Sequence, residues 1–241
     1  MRRIARLAGV GAGDRVVEIG AGLGSLTLAL AETGASVAAV EIDRHLLPVL
    51  RSVVEPVGVT VVEGDALRLD WGSLLGGDAW TLVANLPYNV ATPLVADLLD
   101  GVPQIARMLV MVQREVGERL AASVGDEAYG AVSVKVAYWA TARVVGRVPP
   151  TVFVPQPRVE SALVRIDRRA GGPAVPPSVV PAERLFEVVR AGFAHRRKML
   201  RGALTGVVSP AAFEAAGVAP TARAEELDVE AWGRLAAHGR S

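Results

Sequence analysis

The stretch Asn85-Leu86-Pro87-Tyr88 brings together residue types that could hold a flat, amine-bearing ring. A side-chain amide oxygen and a backbone carbonyl both accept hydrogen bonds, which is what an exocyclic amine requires. Pro87 leaves Leu86 extended and fixes the turn, and Tyr88 offers a face for stacking. The same four residues would also serve as a plain turn with a half-buried tyrosine, so two readings stay open. A second candidate is Gly20-Ala21-Gly22-Leu23-Gly24, a loop that can bring backbone N–H groups up to a ligand without Cβ interference. Its spacing is not the dinucleotide fingerprint, because Ser25 stands where Gly or Ala belongs. Glu41, 21 residues after Gly20, is placed to accept both hydrogen bonds of a ribose diol. Asp65, in Glu63-Gly64-Asp65-Ala66, could accept from a purine amino group or cap the next turn.

These residues need strands to carry them. Val16–Ile19, Val37–Val40, Val59–Val62, Trp80–Ala84 and Met108–Val112 are short apolar runs bounded by turn residues, as buried parallel strands are. The glycine loop follows the first, Glu41 the second, Asp65 the third and Asn85 the fourth, so every candidate sits at a strand's C-terminal edge. Leu26–Glu32, a segment opened by Asp43, Thr92–Leu99 (Thr92 as cap, Pro93 first) and Glu115–Ala122 supply helices between them. Residues 131–140 fit strand alternation or a helix equally. Arg143–Val148 and Ala162–Asp167 are further strands. The expectation is an α/β fold, a doubly wound, mostly parallel sheet with an antiparallel edge strand.

Residues 168–181 are rich in Gly and Pro and read as a linker, and Ala182–Leu204, Ala211–Ala216 and Val229–Ala237 read as helices. The expected division is therefore a first domain over 1–168, a linker over 169–181 and a small all-helical domain over 182–241. Residues 1–167 carry 15 basic and 18 acidic side chains, whereas 168–241 carry 11 and 7. The basic tail suits either a polyanion partner or a solvated helix face, and Arg190, Arg196, Arg197, Lys198 and Arg201 concentrate that charge.

With no cysteine and three scattered histidines, disulfides, thiolate chemistry and a histidine metal site are excluded, and no metal is expected. No apolar run approaches the roughly 18 residues of a membrane span. A cytoplasmic protein without a membrane partner, and a monomer, is the expectation.

The ordered set of segments resembles the bacterial 16S rRNA adenine N6,N6-dimethyltransferases, within the Rossmann-like class I methyltransferases. It comprises Val17–Thr27, Val40–Asp43, Gly64–Ala66, Asn85–Asn89, Gln113–Val116, Phe153–Ala162, Phe193–Arg201 and Arg223–Leu227. The resemblance implies S-adenosyl-L-methionine held by Gly20, Gly22, Gly24, Glu41, Ile42, Asp65, Ala66 and Asn85. Asn85, Leu86, Pro87 and Tyr88 would take the target adenine. Phe153, Arg158 and the basic residues of the tail would contact RNA. It also implies that residues 131–140 are helical. The partner implied is 16S rRNA in the small ribosomal subunit or its precursor, dimethylated at two adjacent adenosines of a hairpin near the 3′ end. A 23S rRNA methyltransferase of the macrolide-resistance type and a non-catalytic small-subunit assembly checkpoint are the rival readings. Family members also carry a Gln-Asn-Phe-Leu-like segment that closes over the cofactor's methionine end. Arg2–Leu7 matches only the last turns of the helix leading from it, so the lid is expected ahead of Met1.

Overall fold

The valine-rich run after Asp14 forms strand β1 (Arg15–Ile19), and the rest of the first sheet is laid beside it. The structure, a computed structural model, describes residues 1–87, 90–153 and 156–238. Helix α1 (Arg2–Ala8) precedes β1; α2 (Ser25–Ala31), β2 (Ser36–Glu41), α3 (Leu47–Val54), β3 (Thr60–Glu63), α4 (Trp71–Leu75) and β4 (Trp80–Asn85) follow. Next come α5 (Ala91–Gly101), β5 (Ile105–Gln113), α6 (Arg114–Ala121), α7 (Ala131–Trp139), β6 (Ala140–Val148) and β7 (Ser161–Arg168). Four helices close the chain: α8 (Ala182–Ala194), α9 (Leu200–Ala203), α10 (Pro210–Ala216) and α11 (Val229–His238).

The sheet runs β3-β2-β1-β4-β5-β7-β6. Pairs β1/β2, β2/β3, β1/β4 and β4/β5 are parallel, and β7 is antiparallel to β5. This is the Rossmann-like methyltransferase sheet, with β6 outermost beside the antiparallel strand. Its order reverses between β1 and β4, which leaves a crevice outside their carboxyl ends. Register fixes what meets there. Ile19 pairs with Ala84 and with Val40, so the glycine loop, Asn85 and Glu41 leave the sheet side by side.

Two compact units divide the chain, residues 1–117 with 143–168 and residues 118–142 with 169–241. In the first unit, side chains alternating along the strands build one core with α1, α2 and α3: Val16, Val37, Ala39 and Val83 against Ile4, Leu30 and Leu50. Helix α5 is fastened at its end by Arg168, whose guanidinium donates to the carbonyls of Leu98, Leu99, Val102 and Ile105. The Leu98 carbonyl also accepts the Val102 N–H and the Val102 carbonyl the Ile105 N–H, so the half-buried cation adds to the backbone bonds that close this end of the helix. The second unit packs Tyr129, Tyr138, Phe186 and Trp232 together, with the Tyr129 hydroxyl donating to the Leu227 carbonyl.

Several local expectations change. The division differs from boundaries at 168 and 182: residues 118–142 group with the tail, and Val175 and Val180 of the glycine- and proline-rich stretch enter its core. Asp43 does not cap a helix; its carboxylate accepts the His45 N–H in a tight turn, and α3 begins at Leu47 with Pro48 in its first turn. Helix α5 starts one residue ahead of Thr92, which makes no cap. Ala182–Leu204 is two helices, because the chain leaves helical geometry at His195 and resumes at Leu200. The basic run 196–198 therefore occupies a turn rather than a helix face. Residues 131–139 are helical, despite their strand-like alternation.

Candidate active site

Gly22 is held in the left-handed region (φ 58°) and donates its N–H to Glu41 Oε2 at 2.7 Å. Glu41 Oε1 accepts from Ile42 and Asp43, each at 2.9 Å. Three backbone donors from two loops thus converge on one buried carboxylate, which locks the glycine loop to the end of β2. Oε2 takes only one of these and keeps acceptor capacity for a hydroxyl. Gly24 (φ 84°) is needed for space as well, since a Cβ there would lie 2.7 Å from Val54 Cγ1.

Beyond Glu41 opens a cavity of about 250 Å³, lined by Gly20, Ile42, Asp65, Ala66, Leu86 and Pro87 among others. Ile42 is 61 % exposed, an apolar side chain left uncovered on the cavity wall. Asp65 resolves its two readings by dividing its oxygens. Oδ1 accepts the Leu67 N–H at 3.0 Å, and no described residue donates to Oδ2. The Ala66 carbonyl is fixed by the indole N–H of Trp71 at 3.1 Å. The cavity wall is mostly apolar, and the Asp65 carboxylate on it has an oxygen to which no described residue donates.

Across the crevice, Asn85 ends β4 beside Met111 of β5. Its side chain is exposed and makes no hydrogen bond among the described residues. Leu86 is buried, and its N–H is fixed on the Met111 carbonyl at 3.0 Å. The Pro87 carbonyl accepts from Val90 and Ala91, starting α5. The glycine loop is adjacent, the Asn85 carbonyl lying 3.8 Å from where a Gly20 Cβ would be. Tyr88 lies outside the described residues.

A residue that the sequence reading passed over sits beneath this loop. Glu18 is 2 % exposed on β1, and its Oε2 has no hydrogen-bond partner among the described residues. Burial, the largest cause, pushes its carboxyl up to about 8; the Thr27 hydroxyl opposes this, although Thr27 Oγ1 reaches no partner, and the Glu41 charge adds to the rise. The signal was an acid inside the apolar run Val16-Val17-Glu18-Ile19.

The residues expected at RNA fall in both units, Phe153 and Arg158 in the first and the tail's cations in the second. Phe153 is half-buried against the first unit's core, and Arg158 is exposed without an ion pair among the described residues. Arg190 is exposed on α8, Arg197 and Lys198 in the turn after it, and Arg201 on α9. Arg196 is already engaged, through Glu225 at 2.8 Å and the Glu127 carbonyl at 2.7 Å. Among the described residues no group of three His, Asp or Glu could hold a metal ion, and no helix is long and apolar enough to cross a membrane.

The family described as Ribosomal RNA adenine dimethylase matches residues 1–238. This chain belongs to that family. It is a methyltransferase, and relatives of high identity match nearly the whole of it. A protein named Ribosomal RNA small subunit methyltransferase A from Cutibacterium acnes is 50 % identical over 246 residues, 95 % of this chain and 80 % of that one. A protein of the same name from Nocardia farcinica is 48 % identical over 248 residues, 98 % of this chain and 84 % of the relative. Among solved structures, the 23S rRNA methyltransferase ErmE superposes with a TM-score of 0.75 at 26 % identity, covering 98 % of this chain and 94 % of that one. A dimethyladenosine transferase from Plasmodium falciparum shares the fold, with a TM-score of 0.77 at 22 % identity over 97 % of this chain and 92 % of that one.

Proposed function

We propose that this protein dimethylates the N6 amines of two adjacent adenosines in a hairpin near the 3′ end of 16S rRNA, using S-adenosyl-L-methionine, in the cytoplasm and as a monomer. The observation that carries the reading is the register of β1, β2 and β4. It puts the glycine loop, the Glu41 carboxylate and Asn85, whose amide has no hydrogen-bond partner among the described residues, at one sheet edge, in a chain of the rRNA adenine dimethylase family. Residues 1–168 carry this site.

Gly20, Gly22, Gly24, Glu41, Ile42, Asp65 and Ala66 would hold the cofactor, whose chemistry is a methyl group on a sulfonium. The protein's own task is to orient the amine. An aromatic amine delocalises its lone pair into the ring and is a poor nucleophile. Asn85 Oδ1 and the Leu86 carbonyl, accepting its two hydrogens at fixed positions, turn the lone pair out of that conjugation toward the methyl. Orientation of this kind is worth up to roughly 7–11 kcal/mol of barrier. The alkylated amine is acidic and loses its proton to water, so no strong base is required at Asn85. Both adenosines must leave their stack to be gripped, and a hairpin loop lowers that cost.

The test is transfer of labelled methyl to small subunits that lack the modification, with the modified adenines mapped by primer extension. Two dimethylated adenosines in the small-subunit hairpin are expected. Modification of 23S rRNA instead, or binding without transfer, would overturn the reading in favour of the resistance-type enzyme or the assembly checkpoint respectively. Asn85→Ala should retain the fold and lose most activity.

A further inference from the structure

The first unit is close to charge balance, with 14 basic and 15 acidic side chains, yet two of its segments carry no acid. Residues 1–13 hold three arginines and no Asp or Glu, and residues 140–159 hold three arginines and again none. The fold joins the two segments. Ile4, Ala5 and Ala8 of α1 share a core with partly buried Val145 and Val148 of β6, and Arg3 Nη2 lies 3.3 Å from where a Cβ on Gly146 would be. The missing side chain lets the guanidinium lie across the sheet's outermost strand. Arg6 is one turn along α1 from Arg3, whereas Arg143 and Arg147, at odd positions of β6, project on the other side of this outermost strand from Gly146, so the four cations line the edge of the unit from both sides. All four are exposed, and none makes a hydrogen bond or ion pair among the described residues. Elsewhere on this unit arginines are mostly neutralised, as in Arg2–Glu32, Arg15–Asp78, Arg44–Glu63 and Arg51–Glu55.

We propose that the α1–β6 face, through Arg3, Arg6, Arg143 and Arg147, binds the phosphate backbone of the RNA that flanks the methylated hairpin. This rests on the reading of the protein as an rRNA methyltransferase, and it adds a contact surface distinct from Phe153, Arg158 and the tail's basic residues. Four guanidiniums without an ion pair among the described residues match a polyanion, the carboxylate beside α1, Glu32, being held by Arg2, and phosphate contacts position a nucleic acid without reading its sequence. The segment that leaves β6 returns at Ser161, which pairs with Gln113 at the carboxyl end of β5, so RNA on this face is led toward the crevice edge of the same sheet. Arginines on an edge strand can also guard it against pairing with another chain, and the test separates the two roles.

Affinity for unmethylated small subunits is measured by equilibrium binding across roughly 50–200 mM salt, beside a triple Arg3→Gln, Arg143→Gln, Arg147→Gln variant. Each lost phosphate contact lowers the log–log salt slope by about 0.7–0.9. The expected result is affinity at least tenfold weaker with a slope shallower by about two, while the melting temperature and the affinity for S-adenosylhomocysteine stay at wild-type values. The matching triple lysine variant should keep most of the affinity. Gly146→Ala, which displaces only Arg3, should give a smaller loss. Wild-type affinity and slope in the glutamine variant overturn the proposal, as does a loss explained entirely by new self-association. Methyl transfer by the wild-type protein reports separately on the enzymatic reading. Transfer with an unaffected variant removes only this surface, and arginine-dependent binding without transfer removes only the reaction.

Discussion

Gly22 donates its N–H to Glu41 Oε2 at 2.7 Å, which ties the loop after β1 to the end of β2 before any ligand is present. A glycine loop is conformationally free in isolation. Here the same carboxylate that can receive a ribose hydroxyl also sets the loop's shape, so binding and preorganisation share one residue.

Glu41→Gln tests that sharing. The amide keeps one acceptor oxygen but must turn an NH₂ group toward backbone donors, on Ile42 and Asp43 or on Gly22. A hydrogen bond to a charged group is worth about 1.5–3 kcal/mol. Affinity for S-adenosylhomocysteine should therefore fall by about tenfold to a hundredfold in calorimetry. The melting temperature should fall as well, because the loop loses its anchor. An unchanged affinity would remove Glu41 from the cofactor site.

Glu18 gives a pH prediction with a definite sign. Its carboxyl is raised from 4.5 to about 8 by burial, so the folded state binds a proton that the unfolded chain releases. The stabilisation is complete below about 4.5 and is lost as pH rises to about 8, with a slope of roughly 1.4 kcal/mol per unit. Glu18→Gln keeps the shape and removes the proton. Wild type and variant should therefore melt alike near pH 5. The variant should be the more stable by pH 8, with the difference level above that. Parallel melting curves at every pH would show that Glu18 does not titrate in this range.

The sheet was readable because buried parallel strands are short, nearly continuous apolar runs, and each of Val16–Ile19, Val37–Val40 and Trp80–Ala84 is one. Their ends then placed Gly20, Glu41 and Asn85 without further information. Helix limits were less readable. Thr92-Pro93 has the look of a cap and first position, but α5 starts earlier because the Pro87 carbonyl accepts from Val90 and Ala91. The partners of long polar side chains were not readable at all. Arg196 and Arg197 are equivalent in sequence, and only the fold brings Glu225 and the Glu127 carbonyl to one of them. Arg168 opens the Gly- and Pro-rich stretch in the sequence and gives no sign of the four carbonyls it serves.

Arg168→Met removes a half-buried cation and withdraws a donor from the carbonyls of Leu98, Leu99, Val102 and Ile105, of which Leu98 and Val102 keep a backbone N–H. Each orphaned buried acceptor costs about 1–3 kcal/mol, less where water reaches it. A destabilisation of about 2–4 kcal/mol is expected in denaturant unfolding. Arg2→Met, which breaks a fully exposed pair with Glu32, should leave stability nearly unchanged. Equal effects in the two variants would mean that Arg168 does not secure the end of α5.

The neighbours Arg196 and Arg197 should separate stability from RNA contact. Arg196 binds the Glu225 carboxylate and the Glu127 carbonyl, both within the second unit. Its substitution by Gln should lower that unit's stability by about 1 kcal/mol, as a partly exposed ion pair does, and a change in RNA affinity should follow only from that loss. Arg197 is exposed and makes no ion pair among the described residues. If it meets a phosphate, Arg197→Gln should leave the melting temperature unchanged, weaken binding to small subunits and reduce the salt slope by about one. Thermal melts and salt-dependent binding of both variants decide the matter. The reverse pattern, with Arg197 affecting melting and Arg196 the salt slope, would mean that the ion pair to Glu225 opens when RNA binds and frees Arg196 for the phosphate.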